Sequence, residues 1–375
     1  MKIIIVGAGI AGLSTAWSLT KRGHAVTLIE QGPIPNPLSA SGDEHRLMRR
    51  AYGSADGYAR LITEALAAWD ELWADLGVSY YANRGVIAIN QFPNDGGVAF
   101  CTSMDRGGYP YDSFSPQEAA ERWPYLDPAT FRRAYYSADG GALLCQRIGA
   151  ALGHWLRENG AALRDNTIVR ALDETAGRVT LATGEVLEAD RVVITAGAWT
   201  LKLLPELADT LTICRTAVVY LDPPAHLREV WSTSPAIQNV GGIISGYVLP
   251  PIDGTGLKFA AGVNKRLAHD PAANRVAAPG EGERLRDLFS APLRDVGAYQ
   301  VKKVVTCAYT FTEDHTFFSR GRGKTIVVSA CSGHGYKFGA AVGRRVAQAV
   351  CDGDYELLRR WLRAELLPEP IEATA

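Results

Sequence analysis

The chain has 375 residues with 39 basic and 40 acidic side chains, and a formal net charge of -1 gives no electrostatic footing for nucleic acid or an anionic membrane. Hydrophobic residues make up 47%, enough for a large core, and the length implies two domains or one interleaved fold. Six cysteines, at 101, 145, 214, 307, 331 and 351, form no C-x-x-C pair and argue against zinc and against a disulfide framework, so a reducing cytoplasm and a small ligand are expected.

Ile3, Ile4, Ile5 and Val6 form an apolar run of the kind found in a parallel strand buried on both faces. Gly7, Gly9 and Gly12 follow at the spacing G-x-G-x-x-G. The first allows a tight turn, the second lets backbone amides approach a pyrophosphate, and the third lets helix and strand pack closely. A helix predicted from Ile10 to about Arg22 presents its amino end to two phosphates. Gly23 ends it, Ala25 to Ile29 form a second strand, and Glu30 is placed to accept hydrogen bonds from both ribose hydroxyls and to repel a 2'-phosphate. The uncharged run Ile3 to Thr20 after Lys2 imitates a signal peptide or a membrane span. Three glycines and Glu30 argue against both and for a dinucleotide site.

Gln31 to Gly42, rich in Pro, Ser and Gly, is loop. In Glu44 to Tyr52, the offsets of Arg46, Arg49 and Arg50 predict one shared helical face. Tyr58 to Leu76 has the 3.6-residue apolar period of a core-packed helix, and Tyr80 to Ile89 turns strand-like. Asn90 to Gly140 has no βαβ rhythm and reads as inserted material. Leu143 to Asn159 restores an amphipathic helix, followed by short strands at Thr167 to Leu172 and Arg178 to Leu187. A second buried strand begins at Val192 and ends in Thr195-Ala196-Gly197, where small residues let backbone pass close to a ligand. Period-two runs between 212 and 320, such as Ala217 to Leu221 and Gly256 to Gly262, predict an antiparallel sheet layered on the first domain. Lys324 to Ala330 gives one more buried strand and Gly335 to Cys351 a helix. The dinucleotide domain is thus assembled from 1-79, 141-212 and 321-375, interleaved with a second domain of 80-140 and 213-320. The closing Glu-Ala-Thr-Ala carries no targeting tripeptide, in keeping with a cytoplasmic protein.

Cys331 to Phe338 places a Ser-Gly-His-Gly turn between strand and helix, a second set of free amides suited to the carbonyl edge of a ring or an anion. No G-x-S-x-G elbow, H-E-x-x-H or paired Cys/His motif occurs, so neither a serine hydrolase nor a metal site is expected. The opening Gly7 to Gly12 with Glu30, Arg46 to Gly53, Thr306-Cys307-Ala308-Tyr309-Thr310 and Ser332 to Phe338 together resemble the monomeric sarcosine oxidase and N-methyltryptophan oxidase branch of the glycine/D-amino acid oxidase family. The resemblance runs in order along nearly the whole chain.

That resemblance implies an α/β fold in which a Rossmann-type FAD-binding domain with a parallel sheet is interleaved with a second α+β substrate domain built on a mostly antiparallel sheet. It implies FAD bonded through its 8α-methyl carbon to Cys307, a bond that needs a thiolate. Further FAD contacts are expected from Gly7, Gly9, Ile10, Ala11, Gly12, Glu30, Gln31, Ser41, Arg46, Val169, Gly197, Gly333, Gly335, Tyr336 and Lys337. Arg49 and Lys337 are implied to hold the substrate carboxylate, a guanidinium fork and an ammonium point charge acting together. Tyr247 would line the pocket, with His334 in the catalytic set. Lys258 would serve reaction with oxygen: one ammonium at ~4 Å and an effective dielectric of ~20 stabilises an anion by about 4 kcal/mol, roughly a thousandfold in rate.

The chain departs from the family pattern at three places. Gly262 and Arg50 stand where histidines are expected, and the Ser319-Arg320 region replaces an acidic residue. Arg50 in the pocket would bring a dicarboxylic secondary amine such as an iminodiacetate into range. The expected activity is oxidation of a secondary or primary amino acid by O2, with H2O2 released and the imine hydrolysed, by a monomer with no nucleic-acid or membrane partner. The rivals are a dehydrogenase serving a quinone or carrier protein, a non-enzymatic flavin-binding protein, and a pyridine-nucleotide dehydrogenase, which would need a second glycine-rich fingerprint.

Overall fold

In the computed structural model, which describes residues 1–53, 55–240, 244–329 and 331–366, strand β1 (Lys2–Val6) has four buried side chains in a row. A strand apolar on both faces needs partners on both edges and cover on both sides. It finds parallel partners in β2 (Ala25–Ile29) and Arg191–Ile194. The sheet reads Phe318–Arg322, Thr325–Ser329, Arg191–Ile194, β1, β2, Ala162–Arg164, with only Phe318–Arg322 antiparallel.

Helix α1 (Ile10–Lys21) covers one side and packs against the helix Gly339–Asp352. Two glycines permit this. A Cβ on Gly343 would lie 2.3 Å from the Ser14 carbonyl carbon, and one on Gly12 would lie 1.9 Å from the Gly7 carbonyl oxygen. The helices Asp56–Leu76 and Cys145–Glu158 complete the same apolar core, as their 3.6-residue periodicity predicts.

A larger sheet follows the order Arg266–Leu267, Thr212–Asp222, Leu257–Ala261, Gly246–Leu249, Ala236–Val240, Val86–Asn90, Arg133–Ser137, Asp112–Phe114, with Gln300–Phe311 paired along Thr212–Asp222. It is antiparallel except between Val86–Asn90 and Ala236–Val240. Period-two alternation sorts its side chains. Ile87, Val219, Ile237, Val248 and Phe259 enter a core with Trp231, Phe289 and Tyr299. On the other face, Cys307 lies opposite Thr216, Lys258 opposite Tyr220, and Tyr247 opposite both Gln238 and Ala260. The segment read as inserted material supplies the sheet's far strands and the helices Gly96–Gly107 and Pro116–Arg122.

One predicted element changes type. Arg46–Arg49 is a strand, paired antiparallel with Gly140–Leu143, so Arg46, Arg49 and Arg50 do not share a helical face. Its burial alternates, with Arg46 and Met48 inside and Leu47 and Arg49 half-buried, which is the period of a strand. Pairing with a distant partner overrides the local spacing. The helix expected from Gly335 starts as a 3-10 turn at Tyr336–Phe338 and becomes α-helical at Gly339. Ala330 and the closing residues 372–375 lie outside the described residues. Among those described, no helix is long and apolar enough to cross a membrane.

Candidate active site

A cavity of about 550 Å³ lies between the mainly parallel sheet and the larger antiparallel one. Gly7, Gly9, Ile10 and Ala11 form one wall at the amino end of α1, where backbone amides converge. Glu30 lines the same end. Its oxygens accept from the Ala8 amide at 2.8 Å, Asn36 Nδ2 at 2.9 Å and the Gly32 amide at 3.2 Å. A carboxylate has about four acceptor sites, so capacity remains for a hydroxyl. Ser41 Oγ accepts from the Ile10 amide at 3.0 Å. Gln31, Val169, Gly197, Gly333, Gly335 and Tyr336 also line the cavity, whereas Gly12 serves packing behind the wall.

At the other end Arg49 and Lys337 flank one aromatic ring. The Arg49 guanidinium carbon is 4.6 Å from the Tyr52 ring centroid and Lys337 Nζ is 5.4 Å from it. Arg49 Nη1 donates to the Ala51 carbonyl, and Lys337 Nζ to the His334 carbonyl at 2.9 Å. Both line the cavity, and neither has a carboxylate partner among the described residues. Burial lowers the pKa of Arg49, and burial followed by the Arg49 charge depresses Lys337 well below the ordinary lysine value. Burial and Arg49 thus disfavour the charged form of Lys337, and an anion bound between the two side chains would restore it.

His334 also lines the cavity. Its Nε2 is 3.2 Å from the His315 carbonyl, which can only accept, so Nε2 carries the hydrogen and Nδ1 accepts from Tyr52 Oη at 3.3 Å. Burial, then the Lys337 charge, lowers its pKa to about 3 and keeps it neutral. Tyr247 faces the cavity from the antiparallel sheet.

Lys258 is 0% exposed and does not form part of the cavity wall. Its ammonium donates to Asp43 Oδ2 at 2.6 Å and to the His45 carbonyl at 2.9 Å, 5.7 Å from the Tyr247 ring centroid. Arg46 donates to the same Asp43 oxygen, and Tyr220 Oη to Oδ1 at 2.5 Å. Burial works against ionisation of Asp43, but Lys258 and then Arg46 outweigh it and hold the carboxyl well below the usual carboxylate range. Arg46 reaches the wall, with Nη2 3.0 Å from Tyr309 Oη and 3.8 Å from Cys307 Sγ. Cys307 is buried beside it. Asp43 and Tyr220 escaped the sequence reading, and Tyr309 entered it only as part of the cysteine motif; no local spacing connects Asp43 with a lysine 215 positions away.

Arg50 is placed elsewhere. Its Nε donates to Asp139, Nη1 to Thr63 Oγ1 at 3.1 Å, and the guanidinium stacks 4.6 Å from the Tyr109 ring centroid, off the cavity wall. The notion that it presents a second charge to the pocket is corrected: Asp139, after the strand Arg133–Ser137, claims it.

A family model described as FAD dependent oxidoreductase matches residues 2–349. The chain belongs to that family. It is 24% identical over 367 residues to a monomeric sarcosine oxidase of Bacillus sp. (strain NS-129), covering 94% of each protein. It is 26% identical over 357 residues to an N-methyl-L-tryptophan oxidase of Yersinia pestis (strain Pestoides F), covering 92% and 93%. Solved structures of like fold include NikD, an amino acid oxidase essential for nikkomycin biosynthesis, with TM-score 0.79, 21% identity and 94% of each chain covered. The fructosamine oxidase from Aspergillus fumigatus aligns with TM-score 0.80 and 18% identity over 96% and 88% of the chains. For this FAD-dependent oxidoreductase the cavity fits its cofactor: amides at the amino end of α1 suit a pyrophosphate, Glu30 suits a ribose, and the glycine-rich turn at 333–335 borders the remaining length.

Buried His45 and half-buried His334 carry a pH prediction. His45 is lowered from 6.5 to about 3 by burial and then by Lys258, and His334 falls to about 3 as well. The unfolded chain binds more protons between these values, so their stabilising contribution is complete above about pH 6.5 and lost as pH falls towards 3. Urea unfolding of the FAD-loaded protein should show His334→Gln with a shallower loss of stability below pH 6.5 than wild type, by up to about 1.4 kcal/mol per pH unit. Parallel pH curves for the two proteins would count against a neutral His334 imidazole.

Proposed function

We propose that the protein is an FAD-dependent oxidase of an amino acid, secondary (N-alkyl) or primary, whose carboxylate binds between Arg49 and Lys337. The observation that carries this reading is the pair of cavity-facing cations on the Tyr52 ring, with no acidic partner among the described residues. The two curated relatives support it, since both names denote oxidases of N-methyl amino acids. When bound, FAD supplies two-electron chemistry, taking a hydride from the substrate carbon next to nitrogen and delivering two electrons with two protons to O2 as H2O2. The imine left behind takes up water and splits into an amine and an aldehyde or oxo acid.

The chain's own residues bind, orient and exclude water. The guanidinium of Arg49 takes the carboxylate as a fork and Lys337 adds a second charge, so the α or N-methyl carbon is directed into the cavity. Tyr247 bounds that space from the opposite sheet. Neutral His334 holds Tyr52 and the Lys337 turn in place and does not exchange its proton near neutrality. We read 1-79, 141-212 and 321-375 as the unit that holds FAD, with Cys307 its covalent attachment, and 80-140 with 213-320 as the unit that shapes the substrate end.

For reaction with oxygen we assign the cluster of Lys258, Arg46 and Asp43, whose formal charges sum to one positive charge delivered to the wall by Arg46. A second reading, electrons passed to a quinone or carrier protein, is favoured by one observation: Lys258 has no exposed surface and is already paired. Peroxide formed per substrate consumed separates the two.

Three experiments test these assignments. Arg49→Ala should strand the substrate anion and lose ~2 to 5 kcal/mol of binding, about 30-fold or more in kcat/KM for an amino acid. Its descarboxy amine should change little, and an undiminished preference for the acid in the variant would overturn the clamp. Acid-precipitated wild-type protein should stay yellow and Cys307→Ser should release its colour, so flavin washing free of wild type sinks the attachment. Lys258→Met should slow reoxidation by O2 far more than anaerobic reduction; equal losses in the two half-reactions contradict the oxygen role.

A further inference from the structure

Five basic side chains line the cavity: Arg46, Lys202, Arg49, Lys337 and Lys265. Two are answered by acids. Arg46 pairs with Asp43, and Lys202 Nζ lies 3.0 Å from Asp270 Oδ1. Arg49 and Lys337 form the clamp assigned above to the substrate carboxylate. Lys265 is left over. It has no carboxylate partner among the described residues, and its Nζ sits 4.9 Å from the ring centroid of Phe311, another residue of the cavity wall. An aromatic face steadies an ammonium without neutralising it. The sheet fixes where this happens. Strand Leu257–Ala261 sets Ala260 opposite Tyr247, and the turn Gly262–Asn264 carries the chain on to Lys265. Phe311 in turn reaches the clamp: a Cβ on Gly333 would lie 3.4 Å from Phe311 Cζ, and the next residue, His334, receives the Lys337 ammonium on its carbonyl at 2.9 Å. Lys265 therefore stands at the substrate end, between the Tyr247 wall and the turn 333–337. Glu30, the acid in that wall, lies at the opposite end with the Ala8 amide.

We infer that Lys265 is a specificity-determining residue that takes an anionic group on the variable part of the substrate, so the favoured substrate is an amino acid with a second, acidic group. This rests on the amino acid oxidase reading above. Once the α-carboxylate occupies Arg49 and Lys337, Lys265 is the cavity-lining cation still without an acid among the described residues. Arg50 does not compete for that role, being committed to Asp139 off the wall. A basic side chain would meet like charges at this end, and a neutral one would leave Lys265 on Phe311 with neither gain nor penalty. Lys265 is exposed, so its attraction is screened by salt and the selectivity it confers is moderate.

Lys265→Met removes the charge and keeps most of the length, and Lys265→Arg restores a charge. With FAD-loaded protein, kcat/KM is compared for N-methylglutamate and N-methylglutamine, which are alike in size and differ in charge. Their ratio cancels the α-carboxylate that both share. Wild type should prefer the acid by about 3- to 5-fold at low salt, with the preference shrinking as salt is raised to about 0.5 M. Lys265→Met should lose the preference and its salt dependence while the neutral substrate changes little, and Lys265→Arg should retain both. Absence of an acid preference in wild type, or its survival in Lys265→Met, overturns the inference and leaves amino acid oxidation standing. Equal losses for the two substrates with an altered flavin absorbance spectrum place Lys265 on the cofactor and overturn it as well. Flavin bleaching by neither substrate, nor by any other amino acid in any of the proteins, overturns the underlying reading instead.

Discussion

A single buried carboxylate joins the two halves of the candidate site. Asp43 follows the loop after β2, yet its oxygens bind Lys258 and Tyr220 from the antiparallel sheet, Arg46 from the arginine strand, and the Glu44 amide at 2.9 Å. Enclosing an anion costs several kcal/mol, and that cost is offset only while its partners stay in place. Removing one partner from such a group typically costs about 3 to 5 kcal/mol. The two sheets are therefore held in one relative position by electrostatics as well as by packing, and Arg46 is fixed beside Cys307 and Tyr309.

The four-residue arginine strand delivers one cation to each of two opposite electrostatic situations. Positions three apart in a strand project to opposite sides. Arg46 goes to a cluster where an internal acid already answers it, and Arg49 to a cavity end where Lys337 adds to the imbalance. The first arrangement is rigid and self-sufficient. In the proposed function the second is completed by the substrate carboxylate. A helix would have put both guanidiniums on one face and merged these roles, so the strand is what separates a compensated charge from an unanswered one.

How far the sequence could be read follows the range of the interactions. The first thirty residues are legible because their signals are local: an apolar run, glycines at fixed spacing, and an acid at the end of β2. The long helices are legible because their apolar faces repeat at 3.6 residues. Arg46, Arg49 and Arg50 mislead because their spacing fits a helix, while the pairing that makes a strand comes from Gly140–Leu143, far along the chain. Arg50 and Asp139, or Asp43 and Lys258, are likewise partners that only the completed fold brings together. Lys258 could be singled out by family resemblance, but its burial against Asp43 could not.

One end of the cavity carries basic side chains that no acid answers among the described residues. Arg49 and Lys337 share the Tyr52 ring there, and neither meets a carboxylate among the described residues. Folding alone disfavours such an arrangement, since each group gives up water without return. In the proposed function, binding reverses the sign at both groups at once, because the substrate carboxylate answers Arg49 and Lys337 together. The discrimination such a site can achieve comes from what a wrong ligand leaves unanswered, because an unneutralised cation pair penalises it more than a lost methylene contact would. The site is thus defined as much by the groups the fold leaves unsatisfied as by those it holds in place.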